Sequence, residues 1–135
     1  MTMPEYPAAY IRVVGARSAR DPHVQDQLHA VLAAARRRGW PRPKVYTEIG
    51  LPGWCRSGSV LGRLAGHLAN GRHDAIIVAD LSRISRDPAD VLAFAVHCDR
   101  YNVTLEAVEE GHVDETRLAA LYARPRVITA EFLPG

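Results

Sequence analysis

The chain has 135 residues, which is the size of a single domain. Hydrophobic residues make up 47% of it and charged residues 24%, proportions that are typical of a globular protein and exclude a disordered one. A net charge of +2 at pH 7 is too small to indicate a nucleic-acid partner by itself.

Cysteine usage and hydropathy indicate the cellular compartment in which the protein works. The two cysteines, Cys55 and Cys98, lack the spacing of a metal site or a disulfide framework, which favours reduced thiols. His67 and His73 also lack metal-ligand spacing, and we expect them on the surface. The sequence has no apolar run long enough to cross a bilayer and no signal-peptide pattern. We therefore expect a cytoplasmic protein that uses no metal, no cofactor and no membrane partner.

Strand-like and helix-like segments alternate along the chain. Strands are predicted over residues 8–14, 43–49, 75–79 and 103–108, and an edge strand over 126–133. Helices are predicted from residue 22 to about 38, from about 59 to 70, from 88 to about 102, and from 114 to 123. This alternation predicts an α/β domain of three layers, with a mainly parallel central sheet of four to five strands and helices on both faces.

Residues 74–88 form the stretch around which the rest of the chain is organised. A short apolar run at 75–79 predicts a strand that is buried on both faces. A polar loop with Arg83 and Arg86 follows, and then Asp87 and Pro88 have the residue types of a helix cap and first helical position. Ligands of open α/β sheets collect beyond the carboxyl ends of such strands, so this loop is the predicted site.

A third arginine, Arg12, lies inside the apolar first strand, where it must be paired or reach a polar cleft. If the first and third strands are neighbours, Arg12, Arg83 and Arg86 converge on one cleft that suits a phosphate or another oxyanion. The alternative is that Arg83 and Arg86 are solvated surface charges and that Arg12 pairs with a glutamate.

Five short motifs, in order, resemble the catalytic domain of the serine recombinases, the resolvase and invertase family. They are Tyr10-Ile11-Arg12-Val13, Gln27-Leu28, Glu48-Ile49-Gly50-Leu51-Pro52-Gly53, Leu81-Ser82-Arg83-Ile84-Ser85-Arg86-Asp87 and Val103-Thr104-Leu105-Glu106-Ala107-Val108-Glu109-Glu110-Gly111. The resemblance covers residues 8–111. It implies an enzyme that attacks the DNA backbone with a serine hydroxyl while arginines stabilise the charge that develops.

The resemblance supplies the arginines but not the nucleophile. Arg12, Arg83 and Arg86 match the arginines of the family, and Arg56 lies near the position of a further arginine in a loop. The family serine falls at Val14, which has no group that can attack phosphorus. The family aspartate that orients the guanidiniums falls at Ser82. Ser18, in the loop after the first strand, is a remote candidate for a displaced nucleophile.

The whole chain, residues 1–135, is predicted to be one resolvase-like domain without a separate DNA-binding domain. Residues 112–135 diverge from the family and are expected to form a short helix and an edge strand. The expected function is that of an inactive domain that binds the DNA backbone weakly through Arg12, Arg56, Arg83 and Arg86, or pairs with itself or with an active recombinase. Two alternatives remain: DNA strand exchange with a displaced serine, and binding of a small phosphorylated ligand.

Overall fold

The computed structural model describes residues 3–50 and 58–122, and strands and helices alternate through these ranges. The strands are β1 Pro7–Val13, β2 Lys44–Ile49, β3 Ala75–Val78, β4 Thr104–Ala107 and β5 Gly111–Val113. The helices are α1 Pro22–Arg37, α2 Val60–Ala69 and α3 Pro88–Arg100, and a further helical segment covers residues 115–122. No helix in the described ranges is both long and apolar enough to span a bilayer.

The strands form one sheet in the order β2-β1-β3-β4-β5, of which the first four are mutually parallel. β1 and β3 are neighbours, with Ala8 opposite Ile76 and Tyr10 opposite Val78. The predicted α/β architecture and the adjacency of the first and third strands are therefore confirmed. A ligand-binding crevice is expected at this junction, because the chain leaves β1 and β3 toward opposite faces of the sheet.

A single 3-10 turn at Leu81–Arg83, inside the predicted polar loop, was not predicted from the sequence, and neither was β5. β5 is three residues long and pairs antiparallel with β4, through a turn that ends at Gly111 with a φ of 84°. So short a strand carries no periodicity of its own, and its pairing depends on a turn that glycine permits. The edge strand predicted at 126–133 lies outside the described residues.

Helices cover both faces of the sheet. α1 packs on one face, where Ile11, Val13 and Ile77 meet Val24 and Val31. α2, α3 and the 115–122 segment pack on the other face, around a larger cluster that includes Tyr10, Leu64, Phe94 and Leu118. Because both faces are covered, all seven residues of β1 and all four of β3 are buried, which explains why both strands are apolar except at Arg12.

Short polar caps set where the helices begin. The Asp21 and Asp87 carboxylates each accept a hydrogen bond from the backbone two residues later, at 2.9 Å in both cases, and each is followed by proline. These two starts are as predicted, because aspartate and proline favour these positions for local reasons. The predicted end of β2 at residue 49 and the predicted start of β3 at residue 75 are also confirmed, and the other ends within the described residues differ by one or two residues.

Glu48, at the end of β2, fixes the start of α2. It is buried, and its carboxylate accepts hydrogen bonds from the backbone N–H groups of Val60 at 2.8 Å and Leu61 at 3.2 Å. The Tyr10 hydroxyl donates to the same carboxylate at 2.6 Å. One buried charge thus joins β1, β2 and α2, and it satisfies donors that a helix start leaves unpaired. Burial and this hydrogen bond raise the pKa of Tyr10 far above its usual value.

Candidate functional site

A cavity of about 600 Å³ opens where the carboxyl ends of β1 and β3 meet. Its wall is built from the end of β1, one side of α1 and the loop after β3. The charged side chains that line it are Arg12, Asp26, Asp80, Arg83, Arg86 and Glu109. The three arginines that the sequence singled out therefore share one cavity, although they have different roles in it.

Arg12 holds in place the segment between β3 and α3, residues 79–87, which we call the arginine loop. Its side chain is only 4% exposed, and its guanidinium donates to the Arg83 carbonyl from Nε at 2.8 Å and to the Ser82 carbonyl from Nη2 at 2.7 Å. A longer bond of 3.4 Å joins Nη1 to the Gly50 carbonyl at the end of β2. The buried charge is thus satisfied by backbone carbonyls rather than by the glutamate that the alternative interpretation invoked. Arg12 ties β1 to the two segments beside it.

The pKa of Arg12 reflects this environment. Burial lowers it from its usual value, the neighbouring cations Arg83 and Arg86 lower it further, and Tyr10 and Glu48 act in the opposite direction. The two neighbouring guanidiniums thus disfavour the charge on Arg12, and its hydrogen bonds to backbone carbonyls offset that repulsion.

Arg83 is oriented by Asp80, a residue that the sequence analysis missed. Its Nε donates to the Asp80 carboxylate at 3.2 Å, and its Nη1 donates to the Arg12 carbonyl at 3.1 Å. The other Asp80 oxygen accepts hydrogen bonds from the Ser82 backbone N–H and from the Ser82 hydroxyl. A carboxylate two residues before Ser82 thus orients Arg83, which is the task the family resemblance gives to an aspartate at position 82.

Gln27 joins α1 to the backbone of Arg12, near the end of β1. It is buried, and its side-chain amide accepts from the Arg12 N–H at 3.0 Å and donates to the Arg12 carbonyl at 3.1 Å. β3 ends at Val78, opposite Tyr10, so no residue of that neighbouring strand lies beside Arg12 to satisfy the two groups. The Gln27-Leu28 motif was a sequence signal for this residue, but its role could be read only from the structure.

Glu110 holds the arginine loop from the opposite side. Its carboxylate accepts a hydrogen bond from the Leu81 N–H at 3.2 Å, across the sheet from Arg12. Burial raises the pKa of Glu110 and the charges of Asp80 and Glu109 add to that effect, while the Leu81 N–H lowers it. The start of the loop is therefore held by a charged side chain on each side.

The remaining predicted site residues are less constrained. Arg86 is exposed and forms no hydrogen bond or ion pair with other residues in the described ranges. Val14 is 51% exposed and lines the cavity just beyond β1. Ser18 is not among the cavity-lining residues, and its hydroxyl accepts a bond from the Arg20 N–H at 3.2 Å. Arg56 lies outside the described residues.

The charges in the cavity nearly balance. Three arginines face three carboxylates, those of Asp26, Asp80 and Glu109. The Arg12 guanidinium donates to backbone carbonyls, and Arg83 is paired with Asp80. Among these three arginines, Arg86 is therefore the one with no partner in the described residues. Within residues 3–50 and 58–122, no cluster of three or more His, Cys, Asp or Glu side chains is arranged to hold a metal ion.

Replacing Arg12 and Arg86 separately tests this division of roles. We expect Arg12→Met to lower the free energy of unfolding by about 3 kcal/mol, because it removes the donor that three part-buried carbonyl groups share. Arg86→Met is the matched control and should change it by less than about 0.5 kcal/mol, since that side chain is exposed. Urea denaturation monitored by circular dichroism measures both, and equal stability of the two variants would contradict the assignment.

Comparisons with known proteins agree with this fold. The family model "Resolvase, N terminal domain" matches residues 8–132. A search of curated proteins gave no significant match.

Three solved structures illustrate the likeness. The N-terminal catalytic domain of TP901-1 integrase superimposes with a TM-score of 0.71 at 20% identity, covering 96% of this chain and 100% of that one. A resolvase family site-specific recombinase from Streptococcus pneumoniae gives 0.67 at 21% identity, covering 94% and 90%. The first open reading frame of transposon ISC1904 from Sulfolobus solfataricus P2 gives 0.61 at 19% identity, covering 94% and 84%. Such identities establish a shared fold. Since the family model spans nearly the whole chain, the protein belongs to the resolvase family and is built on its N-terminal domain.

Proposed function

We propose that this protein is a recombinase-type domain that does not cleave DNA, and that it acts by weak association with the DNA backbone or with another recombinase subunit. The observation that carries the proposal is the place of Val14. Its side chain lines the cavity beside Arg83 and Arg86, at the position where the family resemblance places the attacking serine. A valine there cannot form a bond to phosphorus, so the charge-stabilising groups lack the nucleophile that they would assist.

A second candidate function is DNA cleavage by a displaced serine, and one contact favours Ser82 over Ser18 for that role. Ser82 lines the cavity and its hydroxyl donates to the Asp80 carboxylate, whereas Ser18 does not line it. In such a reaction the Ser82 oxygen would bond to phosphorus, its proton would pass to Asp80, and the sugar oxygen would leave. We place this candidate second because the Asp80 carboxylate that would accept the proton is already paired with the Arg83 guanidinium.

The charge balance explains why association with DNA is proposed to be weak. Arg86 is the cavity cation without a described partner, while Asp26 and Glu109 would repel a phosphate that approached closely. The same balance disfavours the third candidate, a small phosphorylated ligand, although the cavity has the volume for one.

The proposed association with a protein partner is supported by α3. Leu92 and Val96 are 44% and 37% exposed on this helix, and they lie four residues apart on one side of it. Exposed apolar side chains at this spacing form a stripe of the kind that partner proteins cover. A second copy of this chain and an active recombinase are both suitable partners under the proposal.

Binding to a mixed-sequence DNA duplex should be weak and should depend on salt. We expect the logarithm of the binding constant to fall with the logarithm of salt concentration with a slope of about −1 to −2, because each neutralised phosphate contributes about −0.9. Arg86→Met should make the slope shallower by about 1. Fluorescence anisotropy measures this, with Arg100→Met, an exposed arginine of α3, as the matched control. A salt-independent affinity, or equal effects of the two variants, would count against the phosphate contact.

Covalent chemistry separates the first two candidates. On nicked suicide duplexes, we expect no protein–DNA adduct from the wild type or from Val14→Ala on a denaturing gel. Val14→Ser, with or without Ser82→Asp, should give a detectable adduct, because it restores a hydroxyl beside the retained arginines. A wild-type adduct that disappears in Ser82→Ala would overturn the proposal and assign cleavage to Ser82.

A further inference from the structure

Three side chains from separate elements meet at the amino-terminal end of the sheet, opposite the cavity. The hydroxyl of Tyr46 on β2 lies 2.6 Å from Nε2 of His73, just before β3, and 3.1 Å from Nδ1 of His67 on α2. The prediction that His73 lies on the surface is wrong: it is only 8% exposed. The proposed function makes no use of these groups.

Their partners fix where the protons lie. His73 Nδ1 is 3.0 Å from the Tyr6 carbonyl, which can only accept, so Nδ1 carries a proton and Nε2 of the neutral ring accepts from Tyr46. The Tyr46 oxygen can then accept from His67 Nδ1–H. His67 Nε2 in turn faces the donor Nη1 of Arg72 at 3.4 Å. The result is one directional chain of hydrogen bonds that requires both imidazoles to be neutral.

This chain ends on the residues that lead into β1. The Tyr6 carbonyl accepts from His73 and also from the Asp74 N–H at 3.3 Å. The Asp74 carboxylate accepts from the N–H groups of Glu5 at 2.7 Å and Tyr6 at 2.9 Å. The lead-in is therefore held by two adjacent residues, His73 and Asp74, and the imidazole of His73 can take up a proton as the pH falls below neutral.

The charged groups around the chain are mostly cations. Lys44 on β2 lies with Nζ 5.5 Å from the centre of the Tyr46 ring, Arg63 projects from α2, and Arg72 precedes His73. Burial and these cations lower the pKa of His67. At His73, burial, Lys44 and Arg72 lower the pKa, whereas the Tyr6 carbonyl and Asp74 oppose the shift. Glu5 is exposed in the lead-in.

We propose that Tyr46, His67 and His73 form a proton-sensitive latch on the Tyr6 carbonyl, beside the Asp74 contacts that hold Glu5 and Tyr6, and that this latch loosens when His73 is protonated. A charged His73 places a second N–H donor against the Tyr46 oxygen and a buried charge beside Lys44 and Arg72. Both contacts are unfavourable. The imidazole ring of His73 escapes them by turning toward solvent, which breaks its hydrogen bond to the Tyr6 carbonyl. Because the folded-state pKa of each histidine is depressed, the latch is complete above about pH 6.5 and is lost as the pH falls through the folded-state values below it.

NMR of the full chain between pH 7.5 and pH 5 tests the latch, a range in which ordinary aspartates remain ionised. We expect the His67 and His73 rings to titrate below pH 6.5. The amide protection factors of Glu5 and Tyr6 should fall about tenfold over the same interval, as local opening becomes easier. His29→Gln, which removes an exposed histidine of α1, should leave both responses unchanged.

His73→Gln sharpens the test, because glutamine can still donate to Tyr6 and accept from Tyr46 but cannot take up a proton. In that variant the protection of Glu5 and Tyr6 should no longer change with pH. The proposal is overturned if His73 titrates at or above pH 6.5, if wild-type protection does not change, or if the change persists in His73→Gln. The wild-type titration decides the matter even if the variant fails to fold.

Discussion

The buried guanidinium of Arg12 is the interaction on which the functional end of the molecule depends. It lies at the end of a strand that is covered on both faces, where an unpaired charge would be costly. Hydrogen bonds to the Ser82 and Arg83 carbonyls satisfy it, and in doing so they set the path of the loop after β3. Gln27 from α1 holds the backbone of Arg12 itself, and Glu110 beyond β4 holds the start of the same loop at the Leu81 N–H. The cavity therefore has a wall that is fixed by buried polar contacts.

This arrangement explains how the loop keeps its geometry without the aspartate that the family resemblance expects at position 82. Arg12 bonds to backbone carbonyls, which any residue at positions 82 and 83 supplies. Arg83 is oriented by Asp80, and Ser82 itself bonds to that carboxylate. The scaffold of the site therefore does not require a side chain at position 82, nor does it require one at position 14, where Val14 is half exposed. Under the proposed function, the chemistry can be lost while the fold of the site persists.

Much of the fold could be predicted from local signals, whereas most of the site's contacts could not. The apolar run at 75–79 and the Asp-Pro pairs predict a buried strand and two helix starts, because each depends on residues within a few positions. The anomaly of Arg12 predicts that it must be paired, but not that carbonyls 70 and 71 residues away are its partners. Asp80 and the Tyr46–His67–His73 chain give no sequence pattern, since the fold alone brings those side chains together. β5 was not predicted because three residues are too few to show the alternation of apolar and polar residues that marks a strand.

The most direct test of this account is the exchange rate of the arginine side-chain Nε–H protons with water, measured by NMR on the wild type. A buried Nε–H donated to a carbonyl at 2.8 Å should exchange slowly, so Arg12 should give a protected signal at neutral pH, whereas the exposed Arg86 should give none. If the Arg12 Nε–H exchanges as fast as that of Arg86, then Arg12 does not hold the loop and the account is wrong.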